Sequence, residues 1–362
     1  MYDMFRVLLT CIAAALFTLF LTPVIKKLAV RVKAVDNPNE RRINKRPVPT
    51  LGGLAIFTSF FFSIFFLLPI PNEEIWPVFA ASLVVILTGI IDDIKELTPK
   101  WKTVGVVIAS LIIYYSSGIK LDMLNLPYLD PIYFGGFSLP LTIFWILAIT
   151  NAVNLIDGLD GLATGVSIIA LLTMGTIGYF FLTVDSIVVP IMIFVLVGSL
   201  AGFMPYNFFP ASIFLGDTGA LFIGFMISIL SLQGLKNATL ITFIIPIVIL
   251  GIPITDTLYA IIRRKMNKQP IATADKLHIH HRLMSFGLTH RQTVLAIYCL
   301  AAIFSVIALL YPISTFWGSL LLTIGLLLGL ELFVEIIGLT GPDRQPLLKR
   351  LKIFAKKLNR KR

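Results

Sequence analysis

Residues Gln292 to Leu330 read QTVLAIYCLAAIFSVIALLYPISTFWGSLLLTIGLLLGL, 39 positions without one charge. A helix crosses about 30 Å of hydrocarbon in roughly 20 residues, so the run is too long for a single crossing. Tyr311-Pro312-Ile313-Ser314 divides it, because proline lacks the N–H that a continuing helix must donate, and two membrane spans are predicted. The rest of the chain agrees: 57% of the 362 residues are hydrophobic, 14% are charged, and mean hydropathy is +0.92. A soluble domain carries about 45–50% apolar and roughly 25% charged residues, so this chain has too few polar side chains to cover a water-facing surface. The predicted fold class is an all-α integral membrane protein. Cys11 and Cys299 both lie in apolar runs, which argues against a disulfide scaffold or a cysteine zinc site.

Working outward, uncharged runs predict further spans at about 7–25, 51–70, 75–91, 103–119, 139–156 and 162–184. Another ends near Met204, one runs from near Ile213 to about Leu232, and one covers about 239–260. Eleven spans result, which places the two termini on opposite sides. The first is too long and too basic on its C-terminal flank for a signal peptide. Residues 1–337 are read as one polytopic catalytic domain and 338–362 as a basic tail.

The formal charge of +11 is mostly topological. Cytoplasmic loops are enriched in Lys and Arg. With the N-terminus outside, 27 of the 30 basic residues fall inside and only Arg6, Lys120 and Lys236 fall outside. Trp76 and Trp317 at outer span ends and Trp101 at an inner one suit interfacial anchors. Nucleic acid is not needed to explain the charge.

Acids then converge on the inner face. Asp92 and Asp93 close the third span, Asn151, Asn154, Asp157 and Asp160 recur every third residue at the end of the fifth, and Asp217 opens the eighth. Ionisable groups at membrane depth are costly and mark functional sites. If the third helix continues, Glu96 shares a face with the Asp pair. A helix cap would also account for Asp217, and interfacial charge beside Lys95 would account for Asp92 and Asp93. The Asn/Asp ladder has no comparable structural excuse. Carboxylate and amide oxygens with few histidines suit Mg²⁺ or Mn²⁺ better than zinc.

Cations lie on the same face. Thr50-Leu51-Gly52-Gly53 at the start of a span is expected to bring backbone N–H groups to a phosphate. Lys102 stands at the mouth of the fourth span. The longest inner loop carries Arg263 and then His278-Ile279-His280-His281-Arg282. A zinc site there has only Asp275 to support it, and an imidazole-plus-guanidinium strip for anions fits better.

Asp92-Asp93-x-x-Glu96, Asn154-x-x-Asp157-x-x-Asp160-Gly161, Leu215-Gly216-Asp217-Thr218-Gly219 and the His-Ile-His-His-Arg strip, in this order, resemble the polyprenyl-phosphate N-acetylhexosamine-1-phosphate transferases. The resemblance implies an Mg²⁺-dependent enzyme using a UDP-sugar and undecaprenyl phosphate. Asn154 and Asp217 look like metal ligands. Asp92 and Asp93 look like the pair near the lipid phosphate, with Lys102 as a phosphate contact. Asp157, Asp160, His278, His280, His281 and Arg282 look like the nucleotide-sugar side. Two departures stand out. Glu96 replaces an Asp common in the family, and Ile279 interrupts the three consecutive histidines of the muramoyl-pentapeptide branch. The strip is similar to the branch acting on UDP-GlcNAc, which starts teichoic acid, O-antigen and related glycans. Another UDP-N-acetylhexosamine, UDP-MurNAc-pentapeptide included, is the alternative, and a transporter a more distant one. Homodimer formation is left open, and Asp256 has no assigned role.

Overall fold

The computed structural model describes residues 4–37, 46–68, 70–124, 130–181, 187–233, 240–269, 277–339 and 345–350. The order is α1 (Met4–Arg31), α2 (Gly52–Leu67), α3 (Asn72–Lys95), α4 (Pro99–Ser116), α5 (Ser138–Ile156), α6 (Leu162–Phe180) and α7 (Val188–Asn207). There follow α8 (Gly216–Gln233), α9 (Leu240–Ile249), α10 (Gly251–Met266), α11 (Ile279–Ser285), α12 (His290–Leu310) and α13 (Phe316–Ile337). Among the described residues, eight helices are long and apolar enough to cross a membrane: α1, α3, α5, α6, α7, α8, α12 and α13. The shorter α2 is also apolar, and α4 begins with Lys100 and Lys102.

Each predicted span contains a helix, with one difference. The stretch 239–260 is two helices, α9 and α10, meeting at Leu250. Pro253 explains the break: it has no N–H to give the Ile249 carbonyl four residues back, and its ring clashes with that carbonyl. Gly251 then lets the chain pass the Phe304 ring, which a Cβ would meet at 2.2 Å. The predicted division at Tyr311–Ile313 is a 3-10 turn between α12 and α13.

Helix α8 is the hub, 83% buried along its apolar window and packed by α2, α3 and α5. Without a hydrophobic drive between helices in lipid, close association relies on small residues. A Cβ on Gly53 would lie 2.1 Å from the Gly219 Cα, and one on Gly89 would lie 2.4 Å from the Thr218 Cα. So α2 and α3 meet the first turn of α8 backbone to backbone. At the other extreme α13 is 17% buried, and an apolar cavity of about 800 Å³, lined by Phe304, Leu322, Leu326 and Phe333, lies beside it.

Candidate active site

The close packing of α3 on α8 decides how Asp93 is used. Its carboxylate accepts the Asp217 and Thr218 backbone N–H groups at 3.0 and 3.1 Å and the Thr218 hydroxyl at 2.6 Å. The first N–H groups of a helix have no partner within it. Asp93 supplies one from a neighbouring helix, and so fixes where Asp217 projects.

Around Asp217 the predicted groups do gather. Asn154 donates its amide to Asp217 Oδ1 at 2.7 Å. Lys102 Nζ bridges Asp92 at 2.6 Å and Asp217 at 3.1 Å. The pair is layered: the Asp92 side chain is 4% exposed, whereas Asp217 and Lys102 are 30% and 26% exposed. Asp92 also accepts the Leu97 N–H at 2.6 Å, holding the turn that leads into α4. Asp157, in the turn after α5, is pushed well above the usual carboxylate range, first by burial and then by the carboxylates of Asp217, Asp93 and Asp160. The acids therefore repel one another, with Lys102 bridging two of them. Among the described residues no three carboxylates or imidazoles already converge as ligands. The donors near Asp217 are nonetheless all oxygen, from carboxylates and one amide, which is the chemistry Mg²⁺ or Mn²⁺ selects.

Asp160 serves the scaffold. Its carboxylate accepts the Ala211 N–H at 2.9 Å and its own N–H donates to His290 Nε2 at 3.1 Å, tying the turn after α5 to the chain before α8 and to the start of α12. Tyr298 adds a hydrogen bond to the Gly161 carbonyl. Gly158 brings the same turn to the histidine strip, since a Cβ there would lie 2.6 Å from the His280 ring.

In the strip, His278 and His280 lie with rings nearly parallel, 5.9 Å between centroids, and His281 packs on His280 at 4.3 Å. His280 is held neutral, its pKa lowered to about 3, chiefly by burial and next by His281. Arg282 donates Nε to the Ile337 carbonyl at 2.8 Å, and its guanidinium carbon lies 5.8 Å from the centroid of the Phe286 ring.

Several predicted contacts are elsewhere. The N–H groups of Gly52 and Gly53 are bonded to the carbonyls of Phe214 and Leu215 at 3.1 and 3.0 Å, and the Thr50 hydroxyl and N–H to that of Ala34 at 3.1 and 3.0 Å. This stretch docks α2 on α8 and offers those donors to no phosphate. Helix α3 stops at Lys95, with Glu96 left-handed at φ 50° and exposed, so Glu96 does not share the face of the Asp pair. Arg263 is buried, its guanidinium on the Leu339 carbonyl at 2.6 Å. Asn151 is exposed, its amide bonded back to the Leu147 carbonyl. Asp275 lies outside the described residues.

A model of the family described as glycosyl transferase family 4 matches residues 75–235. Over 356 residues, 98% of either chain, the sequence is 41% identical to the probable undecaprenyl-phosphate N-acetylglucosaminyl 1-phosphate transferase of Bacillus subtilis (strain 168). The chain belongs to the polyprenyl-phosphate N-acetylhexosamine-1-phosphate transferases. This transferase is also 31% identical over 328 residues to the decaprenyl-phosphate N-acetylglucosaminephosphotransferase of Mycobacterium tuberculosis (strain ATCC 25618 / H37Rv), covering 79% of this chain and 78% of the relative. It is 28% identical over 340 residues to the phospho-N-acetylmuramoyl-pentapeptide-transferase of Borrelia hermsii (strain HS1 / DAH), covering 85% and 95%. The matched segment of the transferase holds the whole acid cluster and ends before the strip. Two polar anchors of the transferase beyond that segment, Asp256 and His290, went unassigned in the sequence. Their signal is a polar side chain inside or at the edge of an apolar run, without a motif around it.

Proposed function

We propose that this transferase moves N-acetylglucosamine 1-phosphate from UDP-GlcNAc to undecaprenyl phosphate, releasing UMP. The observation that carries the reading is the junction of Asp217, Asn154, Lys102 and Asp92, in a chain 41% identical over 98% of its length to the Bacillus subtilis transferase. The chain crosses the cytoplasmic membrane eleven times, with the N-terminus outside and the site on the cytoplasmic face; the 27-to-3 partition of basic residues supports this. A soluble nucleotide and a lipid headgroup meet at that plane. The product starts a cell-envelope glycan such as teichoic acid.

Asp217 and Asn154 would hold Mg²⁺, which would supply charge neutralisation for the pyrophosphate. The chain's own residues do the rest. Lys102 offers its ammonium to phosphate oxygen as the ion pairs open toward solvent. Asp92 orients the lipid phosphate through the Lys102 ammonium that it holds, whereas three other donors occupy Asp93. A phosphate monoester has its second pKa near 6, so the attacking oxygen is largely ionised at neutral pH without a strong base. Attack on the β-phosphorus breaks its bond to the bridging oxygen, which leaves with UMP. Asp157, His278, His280, His281 and Arg282 form the nucleotide-sugar side.

Membranes expressing the chain, given radiolabelled UDP-GlcNAc, undecaprenyl phosphate and Mg²⁺, are expected to yield labelled lipid that disappears with chelator. Absence of label, or label from UDP-MurNAc-pentapeptide instead, would overturn the substrate assignment. Inversion at the transferred phosphorus is expected, and retention would require a covalent intermediate.

A further inference from the structure

Asp256 lies within α10 and is 3% exposed, yet it is fully engaged. Its Oδ2 is 2.8 Å from His278 Nδ1 and its Oδ1 accepts the Ile279 N–H at 2.8 Å. His278 is the residue before α11 and supplies no cap from its own side chain. One carboxylate from another helix therefore does two things at once. It satisfies the first N–H of α11, and it meets one of the two ring nitrogens of the first histidine of the strip.

A carboxylate accepts hydrogen bonds and cannot donate one. The proton of a neutral His278 must therefore sit on Nδ1, facing Asp256, and the lone pair is left on Nε2. The partner of one ring nitrogen sets what the other can do. We infer that Asp256 is a positioning residue for the transfer reaction, fixing the tautomer and direction of His278 so that Nε2 meets the nucleotide-sugar. This assignment rests on the transfer reading above and deepens it. It also links the break in the ninth predicted span to chemistry. Because the helix restarts at Gly251, α10 takes its own course and delivers Asp256 to the strip.

Asp256→Asn separates positioning from capping. The Asn oxygen can still accept the Ile279 N–H, whereas its NH₂ can only donate toward His278 Nδ1 and forces the proton onto Nε2. Purified full-length protein is assayed with UDP-GlcNAc and undecaprenyl phosphate varied separately. The expected result for D256N is a fall in kcat/KM for the nucleotide-sugar on the order of 10- to 100-fold, the usual cost of losing an orienting partner. KM for the lipid and the thermal midpoint should stay put. In a His278→Ala background, D256N should add nothing. A D256N enzyme within two-fold of wild type, or one that multiplies the H278A loss independently, would overturn the assignment. If D256N does not fold, H278A alone decides: wild-type kinetics would leave Asp256 nothing to position. Wild type and Asp217→Ala run alongside. An inactive wild type defeats the transfer reading, whereas an active wild type with an unaffected D256N defeats this inference alone.

Discussion

The acid cluster at the starts and ends of α3, α5 and α8 and the histidine strip at the start of α11 share one device and differ in what they do with charge. In each, a carboxylate from another helix caps the helix that carries the working side chains: Asp93 for α8 and Asp256 for α11. Glu335 repeats the device at the C-terminal end, accepting the N–H groups of Leu347 and Leu348 at 2.9 and 2.8 Å. In the acid cluster, Asp92 and Asp217 share one ammonium that reaches solvent, so charge is available there. By the strip, the buried Arg263 is drawn instead to the Leu339 carbonyl just past the end of α13, where helix C-termini favour cations. Formal charge in a sequence is therefore a poor guide to charge that reaches solvent.

Substitutions can break or sharpen that contrast. The largest effect is expected from Asp217→Ala, a loss of about a thousand-fold or more in label transfer, as when a group acting on developing charge is removed. Lys102→Met should lower kcat/KM by about a hundred-fold. Arg263→Gln, by contrast, should leave kcat/KM within a few-fold and lower stability by about 1–3 kcal/mol through the lost carbonyl bond. If the two basic substitutions gave the same kinetics, the distinction between available and anchored charge would fail. Gly89→Ala should cost about 1–3 kcal/mol by overpacking against Thr218, seen as a lower unfolding temperature in detergent. A stability unchanged by it would show that α3 can move off α8.

The smallest effect concerns pH. With the His280 pKa lowered to about 3, the folded protein binds fewer protons there than the unfolded chain below an ordinary histidine pKa of about 6.5. The contribution of His280 to stability is thus complete above about pH 6.5 and declines as pH falls from there toward 3. Thermal midpoints between pH 7.5 and roughly pH 5 should fall more steeply for wild type than for His280→Gln. Parallel curves would show that burial of this imidazole does not govern the slope.

The predicted spans were legible because each follows a long apolar run, and the Asp217 junction because acids recur where such runs end. The break between α9 and α10 was not, although Pro253 carries its cause. An apolar run of 22 residues from 239 to 260 is long enough to span, and length masked the missing donor. Glu96 was placed with the Asp pair because spacing alone assumes that a helix continues. The stop at Lys95 depends on a left-handed residue that the spacing does not encode. Gly52 and Gly53 showed that the backbone is approached closely, but not by what. The visitor is Phe214, Leu215 and Gly219 of the same chain. Asp256 was noticed because it lies in an apolar run, and its partner lay 22 residues away across a sequence with no motif between them.

The glycine crossing at the first turn of α8 has a mechanical meaning. Leucine against leucine can slip between rotamers and let two helices shift. Where Gly53 meets Gly219 and Gly89 meets Thr218 the contacting atoms are backbone, and packed interiors deform by discrete repacking rather than smoothly. Asp217 therefore stands at a fulcrum. Any compliance of the bundle falls instead to regions such as α13, which is packed least among the long apolar helices.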